Sequence, residues 1–228
     1  MVRVKKNSDL VVSYLTLRQM IGWIGLLMPF VVRIGAIGFQ HLATQGSISA
    51  YYYTSMRDVF VSTLVLVGAL MTCNRAPKWF DNVLSVAAGI AAIGVGLFPI
   101  DPAFAKEIAD RCPCLADHRC VIHGILGYHY MFVIIFFALI TAMVTWRFPA
   151  FTPPNAEREM RLRNAVYRVC GVVMLLSFVA IGIVQLRHND ASFFWPESIA
   201  VFAFGIAWLV KGQTILKDKP GAPLRLAS

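Results

Sequence analysis

Charge is what this sequence has least of. Charged side chains make up 14% of its 228 residues and hydrophobic ones 58%, whereas a soluble domain carries roughly a quarter charged residues. That deficit excludes an ordinary water-soluble globule. The charges present stand between long apolar runs, the pattern expected when the runs lie in hydrocarbon and the breaks in water. The runs also lack the period-two alternation of membrane β-strands, which leaves helices to satisfy the backbone in lipid. Catalytic signatures are missing as well. There is no Walker loop, nucleophile elbow, CxxCH haem attachment or GxGxxG after a strand, and no HExxH or HxxxH pair of metal ligands. The basic start at Arg3, Lys5 and Lys6 leads to an apolar run near Met20 with no small-residue cleavage site after it, so it reads as a retained first helix.

What is present is a set of six apolar stretches, each near the about 20 helical residues needed to span about 30 Å of hydrocarbon. They are Leu17–Ile37, Arg57–Cys73, Val83–Ile100, His123–Trp146, Val166–Leu186 and Phe194–Val210. The expected fold is all-α, a polytopic bundle of six transmembrane helices forming one domain over residues 1–228. A short interfacial helix is expected ahead of the fifth span, and a disordered tail over 213–228. Fifteen of the 21 Lys and Arg residues fall in the segments on one side of such a bundle. By the positive-inside rule that side is cytoplasmic and holds both termini. The formal net charge of +9 is explained by those loops. No basic stripe interleaved with aromatics stands outside them, so nucleic acid is not an expected partner. On the third span Ala88, Ala92 and Gly96 repeat every four residues beside Ser85 and Gly89. Such small residues let helix backbones approach closely, within the bundle or across a dimer.

Ionisable groups near hydrocarbon are costly and each needs an account. With the orientation fixed, Arg33, Arg57, Asp58, Asp101, His123, His129 and Glu197 all fall toward the outer end. Ser49 and Tyr53 precede the second span, and Thr54, Asp58 and Ser62 share one helical face. Arg33 and Asp58 lie at similar depth on consecutive antiparallel helices, and an ion pair from Asp58 to Arg33 or Arg57 is the simplest account of them. The expected ligand pocket comprises Arg33, Ser49, Tyr53, Arg57, Asp58, Asp101, His123 and Glu197. For Arg187 and Glu197 the competing expectation is simple snorkelling to the interface. For His129 it is a hydrogen-bonded core histidine.

No cofactor is assigned. Zinc is the alternative, with Asp58, His123 and His129 as ligands, although His123 and His129 are six apart and on different helical faces. Haem is disfavoured, because the histidines sit too near the outer end. The loop RCPCLADHRC (Arg111–Cys120) lies on the oxidising side. There Cys120 is expected to pair with Cys112 or Cys114, leaving one thiol over, with a zinc or copper site as the competing reading.

SISAYYYTSMRDVFV (Ser47–Val61), LFPID (Leu97–Asp101), the helix beginning at His123 and FWPESIAVFAFGIAWLVKG (Phe194–Gly212) resemble a group of uncharacterised bacterial integral membrane proteins, distantly similar to the six-helix DRAM-like proteins. The resemblance implies six helices in a bacterial inner membrane and brings no activity. A looser similarity is to the CREST superfamily of membrane hydrolases and receptors. Their zinc site combines His, Asp and Ser at one end of a bundle, parts that would fall to His123, Asp58 and Ser49. The departures are six helices in place of seven, and Glu197 where that group carries paired histidines. The expected function is therefore binding of a lipid or small ligand at the outer end, as a sensor or accessory protein. The alternatives are a metal-dependent hydrolase acting on lipid and a small-solute or ion transporter. Membrane lipids are the expected partners, with a homo-oligomer or a larger membrane complex left open.

Overall fold

The structure, a computed structural model, describes residues 2–76, 78–100, 128–149, 158–186 and 192–216, with the side chains of 2–12 and 185 excepted. Among them are six α-helices and no strand. They are α1 (Val2–Gln40), α2 (Arg57–Cys73), α3 (Trp79–Leu97), α4 (Tyr128–Ala142), α5 (Arg158–Leu186) and α6 (Phe194–Lys211). A 3-10 turn over Ser49–Tyr53 precedes α2, and a wider π turn over Met143–Arg147 continues α4.

Five helices are long and apolar enough to cross a membrane: Ser13–Gln40, Trp79–Leu97, Tyr128–Arg147, Arg158–Val184 and Phe194–Lys211. The sixth, α2, has 17 residues and a length of about 25 Å. Its bounds are those read from the sequence. By contrast α1 starts at Val2 and α5 at Arg158, well before the expected Leu17 and Val166. A helix has no reason to stop where its residues leave hydrocarbon, and the expected interfacial helix is simply the first turns of α5. The first turns expected for the fourth span, from His123, lie outside the described residues, as do Asp101, Cys112, Cys114 and Cys120. The described cysteines, Cys73 (exposed) and Cys170 (buried), are free thiols.

Two backbone crossings organise the bundle. A Cβ added at Gly68 of α2 would lie 2.5 Å from the Gly89 carbonyl oxygen of α3, and one at Gly89 would lie 2.6 Å from that of Gly68. Likewise a Cβ at Gly22 of α1 would meet the Gly205 oxygen of α6 at 2.9 Å, and one at Gly205 would meet the Gly22 oxygen at 2.8 Å. At both sites only hydrogen fits between the backbones, which is how helices gain dispersion contact where lipid removes the hydrophobic drive. The small-residue stripe of α3 is thus used inside the bundle: Ala88 and Ala92 are fully buried, and Gly96 faces Leu64 of α2. Through these crossings α2 packs along α3, α6 lies between α1 and α5, and α4 closes against α3. The outward faces carry Ile34, Ile134 and Leu176, all exposed.

The antiparallel order gives the bundle two ends. The Glu197 end gathers the α1 C-terminus, the start of α2 and the start of α6. The Lys211 end gathers the α2–α3 turn, the π turn, the start of α5 and the end of α6.

Candidate functional site

At the Glu197 end α1 stops at His41, whose φ of 54° is left-handed and breaks the helix. The chain then returns as a strap of buried residues, Ser47 to Thr54, before α2 begins. This strap is tied to α6 in both directions. The Gly46 carbonyl accepts the Phe193 and Phe194 N–H groups at 2.6 and 3.0 Å, satisfying donors that the start of a helix leaves unpaired. In return the Glu197 carboxylate accepts the Ile48 N–H at 2.6 Å and the Ser47 hydroxyl, whose oxygen lies 2.8 and 2.9 Å from its two oxygens.

The ties continue across the bundle. Ser47 Oγ accepts the Ser49 N–H at 3.1 Å, and Ser49 Oγ lies 3.1 Å from His129 Nε2. His129 Nδ1 is 2.7 Å from the Phe98 carbonyl oxygen. A carbonyl only accepts, so the proton sits on Nδ1 and the neutral ring accepts the Ser49 O–H at Nε2. A hydroxyl aimed at an imidazole is the pairing that activates a nucleophile. Here His129 is 1% exposed and Ser49 is buried among the strap residues, so the pair acts as a tie between α4, α3 and the strap. Tyr53 donates to the Ile100 carbonyl at 2.5 Å. The Tyr51 hydroxyl accepts the Gln45 N–H at 3.4 Å. Burial pushes its phenol pKa up, opposed by the Gln45 hydrogen bond and the Arg33 charge, which keeps Tyr51 a neutral hydroxyl.

The residues expected to form one pocket therefore divide. Ser49, Tyr53, His129 and Glu197 are consumed in these buried ties. Arg33 and Asp58 do not meet. Arg33 Nε donates to Thr44 Oγ1 at 2.9 Å, with its guanidinium 5.5 Å from the centre of the Trp195 ring of α6. Arg57 donates to the Tyr52 hydroxyl at 2.8 Å and lies 4.5 Å from that ring's centre, so it does not take Asp58 either. Nor do Thr54, Asp58 and Ser62 present a common polar face. Thr54 is buried outside the helix, donating to the Tyr51 carbonyl, while Ser62 donates back to the Asp58 carbonyl. What remains open is a hollow of about 410 Å³ lined by Tyr52, Arg57, Asp58, Val61, Gly96 and Leu97. Its lining sets one cation and one anion beside the apolar side chains of Val61 and Leu97. Among the described residues no three His, Cys, Asp or Glu side chains come together; His123 and Asp101 lie outside them.

A second polar layer, not expected from the sequence, lies at the Lys211 end. Arg18, 6% exposed, donates from Nε to Asn74 Oδ1 at 3.1 Å. Asn74 reaches Ser85 Oγ at 3.4 Å, and Ser85 donates to the Met71 carbonyl at 2.7 Å. Arg147, ending the π turn, pairs through Nε with Asp81 Oδ1 at 2.5 Å. Arg163 donates to the Leu216 carbonyl at 2.7 Å, and Lys211 Nζ lies 4.8 Å from the centre of the Phe148 ring. These side chains read as solvated loop charges because each stands at a span end. The one available signal was Asp81, an acid among inner basic residues.

A family model described as a protein of unknown function (DUF998) matches residues 24–212. No curated protein and no solved structure matches the chain, so the DRAM-like and CREST resemblances find no named relative.

Proposed function

The chain belongs to the DUF998 family, and from that premise we propose a six-span integral membrane protein that takes a lipid headgroup at the Glu197 end. In this reading α2 is the sixth crossing, both termini and the Lys211 end face the cytoplasm, and the membrane is a bacterial inner membrane. A 17-residue helix is at the short limit for spanning, and the excess of Lys and Arg at the Lys211 end supports the orientation.

The observation that carries the binding reading is the hollow. Arg57 and Asp58 are both exposed on it, adjacent in sequence, and among the described residues neither is in an ion pair. Tyr52 holds Arg57 in place through its hydroxyl. A headgroup bearing a phosphate and an ammonium group would complement both charges, with its first acyl carbons against Val61 and Leu97. Such a bundle would act as a lipid sensor or accessory protein.

Native mass spectrometry of the purified protein tests this. A zwitterionic phospholipid is expected to co-purify, and Arg57→Gln and Asp58→Asn are each expected to reduce its retention about tenfold, the effect of losing roughly 1.4 kcal/mol of binding. Retention unchanged in both variants would remove the hollow as the site. The orientation has its own test. In a variant keeping Cys73 as sole cysteine, a membrane-impermeant maleimide is expected to label only after the membrane is opened. Labelling of intact spheroplasts would reverse the topology.

A further inference from the structure

Tyr52 is the aromatic residue in the described lining of the hollow, and its ring is already engaged. The Arg57 guanidinium lies 4.5 Å from the ring centre, and the Tyr53 ring meets it edge-on with 5.3 Å between centres. The residue is 8% exposed, so little of the ring is left for a second cation. Quaternary ammonium groups are held by aromatic faces, because they carry charge without a proton to donate. A choline headgroup therefore finds no good seat here.

A carboxylate has the opposite preference. Asp58 is exposed at the start of α2 and lines the same hollow. Its neighbour Ser62 donates to the Asp58 carbonyl and so does not take up the carboxylate. Every proton of a primary ammonium is a donor, and each can make a short charge-assisted hydrogen bond to a carboxylate. Methyl groups in place of those protons keep the charge and remove the donors. The anionic half of a headgroup is provided for separately. The Tyr52 hydroxyl accepts from Arg57 at 2.8 Å, and a phenol has a proton of its own to donate as well. Among the described residues that proton has no acceptor. A phosphate oxygen beside Arg57 would be one.

We infer that the hollow selects a phospholipid whose headgroup ends in a primary ammonium, the phosphoethanolamine class, over its N-methylated counterparts. The inference rests on the reading of the hollow as a headgroup site and narrows it. Asp58 takes the ammonium, Arg57 and the Tyr52 hydroxyl take the phosphate, and Val61 and Leu97 meet the first acyl carbons. Arg57 and Asp58 are adjacent in sequence. Phosphate and ammonium must therefore be close neighbours too, as they are when a short methylene link joins them.

Native mass spectrometry of the full chain tests this with phosphatidylethanolamine, its N-methyl and N,N-dimethyl derivatives and phosphatidylcholine, offered in equal amounts with identical acyl chains. Retention is expected to fall with each added methyl group. The choline lipid should be held about tenfold more weakly than the ethanolamine lipid, the effect of losing one charge-assisted hydrogen bond. Asp58→Asn is expected to bring the ethanolamine lipid down to the level of the choline lipid, whereas Arg57→Gln lowers every lipid and leaves their order. Tyr52→Phe, which keeps the ring and removes the hydroxyl, is expected to lower all of them about threefold. A flat series in the parent overturns the selectivity; if Arg57→Gln still lowers every lipid, the headgroup reading survives without it. Lipid retention that is indifferent to Arg57 removes both. A preference for ethanolamine that persists undiminished in Asp58→Asn, or that disappears in Tyr52→Phe, takes the ammonium away from Asp58 and also overturns the inference. The methyl series needs no substitution, so a variant that fails to fold leaves the test standing.

Discussion

Valine in place of Gly89 is expected to cost the bundle a large part of its stability. A Cβ there would lie 2.6 Å from the Gly68 carbonyl oxygen and 2.9 Å from Thr72 Cγ2. The first obstacle is backbone, so no rotamer change relieves it, and α2 must move away from α3. The seam runs from that crossing past Leu64 and Gly96 to the hollow at Val61 and Leu97, so separation costs packing along its length. Overpacking a tight core costs about 1–3 kcal/mol, and a rigid contact with a β-branched side chain belongs at the upper limit. For a chain of this size that lowers Tm by roughly 10 °C. Gly182→Ala is the matched control. An added Cβ at Gly182 meets nothing within 4 Å, and the change is expected to be neutral or slightly stabilising. A Gly89→Val protein melting within a degree of the parent would mean that the helices do not cross this closely. Retained lipid should fall with Gly89→Val as well, since one wall of the hollow belongs to each helix.

Glu197→Ala is the second. It removes the acceptor of the Ser47 hydroxyl and of the Ile48 N–H, and both groups lie where water does not readily replace it: Ser47 and Ile48 are buried. Each donor left unsatisfied costs about 1–3 kcal/mol, so the change is expected to destabilise by about 3 kcal/mol. Glu197→Gln keeps one carbonyl oxygen as acceptor and should lie between the two. The loss has a local signature. Amide exchange at Ile48 and Ser49 should accelerate much more than exchange in the middle of α3, because the Gly46 carbonyl still holds Phe193 and Phe194 and keeps α6 started. Equal protection at Ile48 in parent and alanine variant would show that the carboxylate is a bystander.

These two residues were not equally visible in the sequence. Gly89 stood out in a line of small residues, and the spacing alone pointed to a close crossing. Glu197 was read as one member of a pocket or as an anchor at the interface. Its partners are about 150 positions away, and no periodicity reveals a contact made by the return of a loop. The Arg33–Asp58 pair failed for a different reason. Depth along a helix follows from counting residues, whereas rotation about its axis follows from packing. Gly22 and Arg33 are eleven residues apart, about three full turns, so they lie on nearly the same face. The crossing of Gly22 with Gly205 turns that face to α6, which delivers Arg33 to Trp195 and away from α2. Helix extents show a parallel contrast. α2 was bounded correctly because it begins at the Thr54–Met56 turn and ends before Asn74, while α1 and α5 run on into segments whose polarity marks the end of hydrocarbon and says nothing against helix. At the Lys211 end Arg18, Asp81 and Arg147 were each legible as charges at span ends, but their mutual approach belongs to the tertiary arrangement.

The Gly22–Gly205 contact also fixes an order of events during synthesis. Chain elongation proceeds at about 5–20 residues per second and N-terminal parts are available first, so α1 enters the bilayer long before its closest companion exists. Until α6 is made, the glycine notch of α1 and the strap beyond it face lipid or other helices, with the Gly46 carbonyl lacking its donors and the Ser47 hydroxyl its acceptor. α1 and α6 therefore lock together only after both have been made, and the Glu197 ties form no earlier than that. The strap thus reports on the docking of α6: without that helix it stands undocked, and with it in place it is hidden.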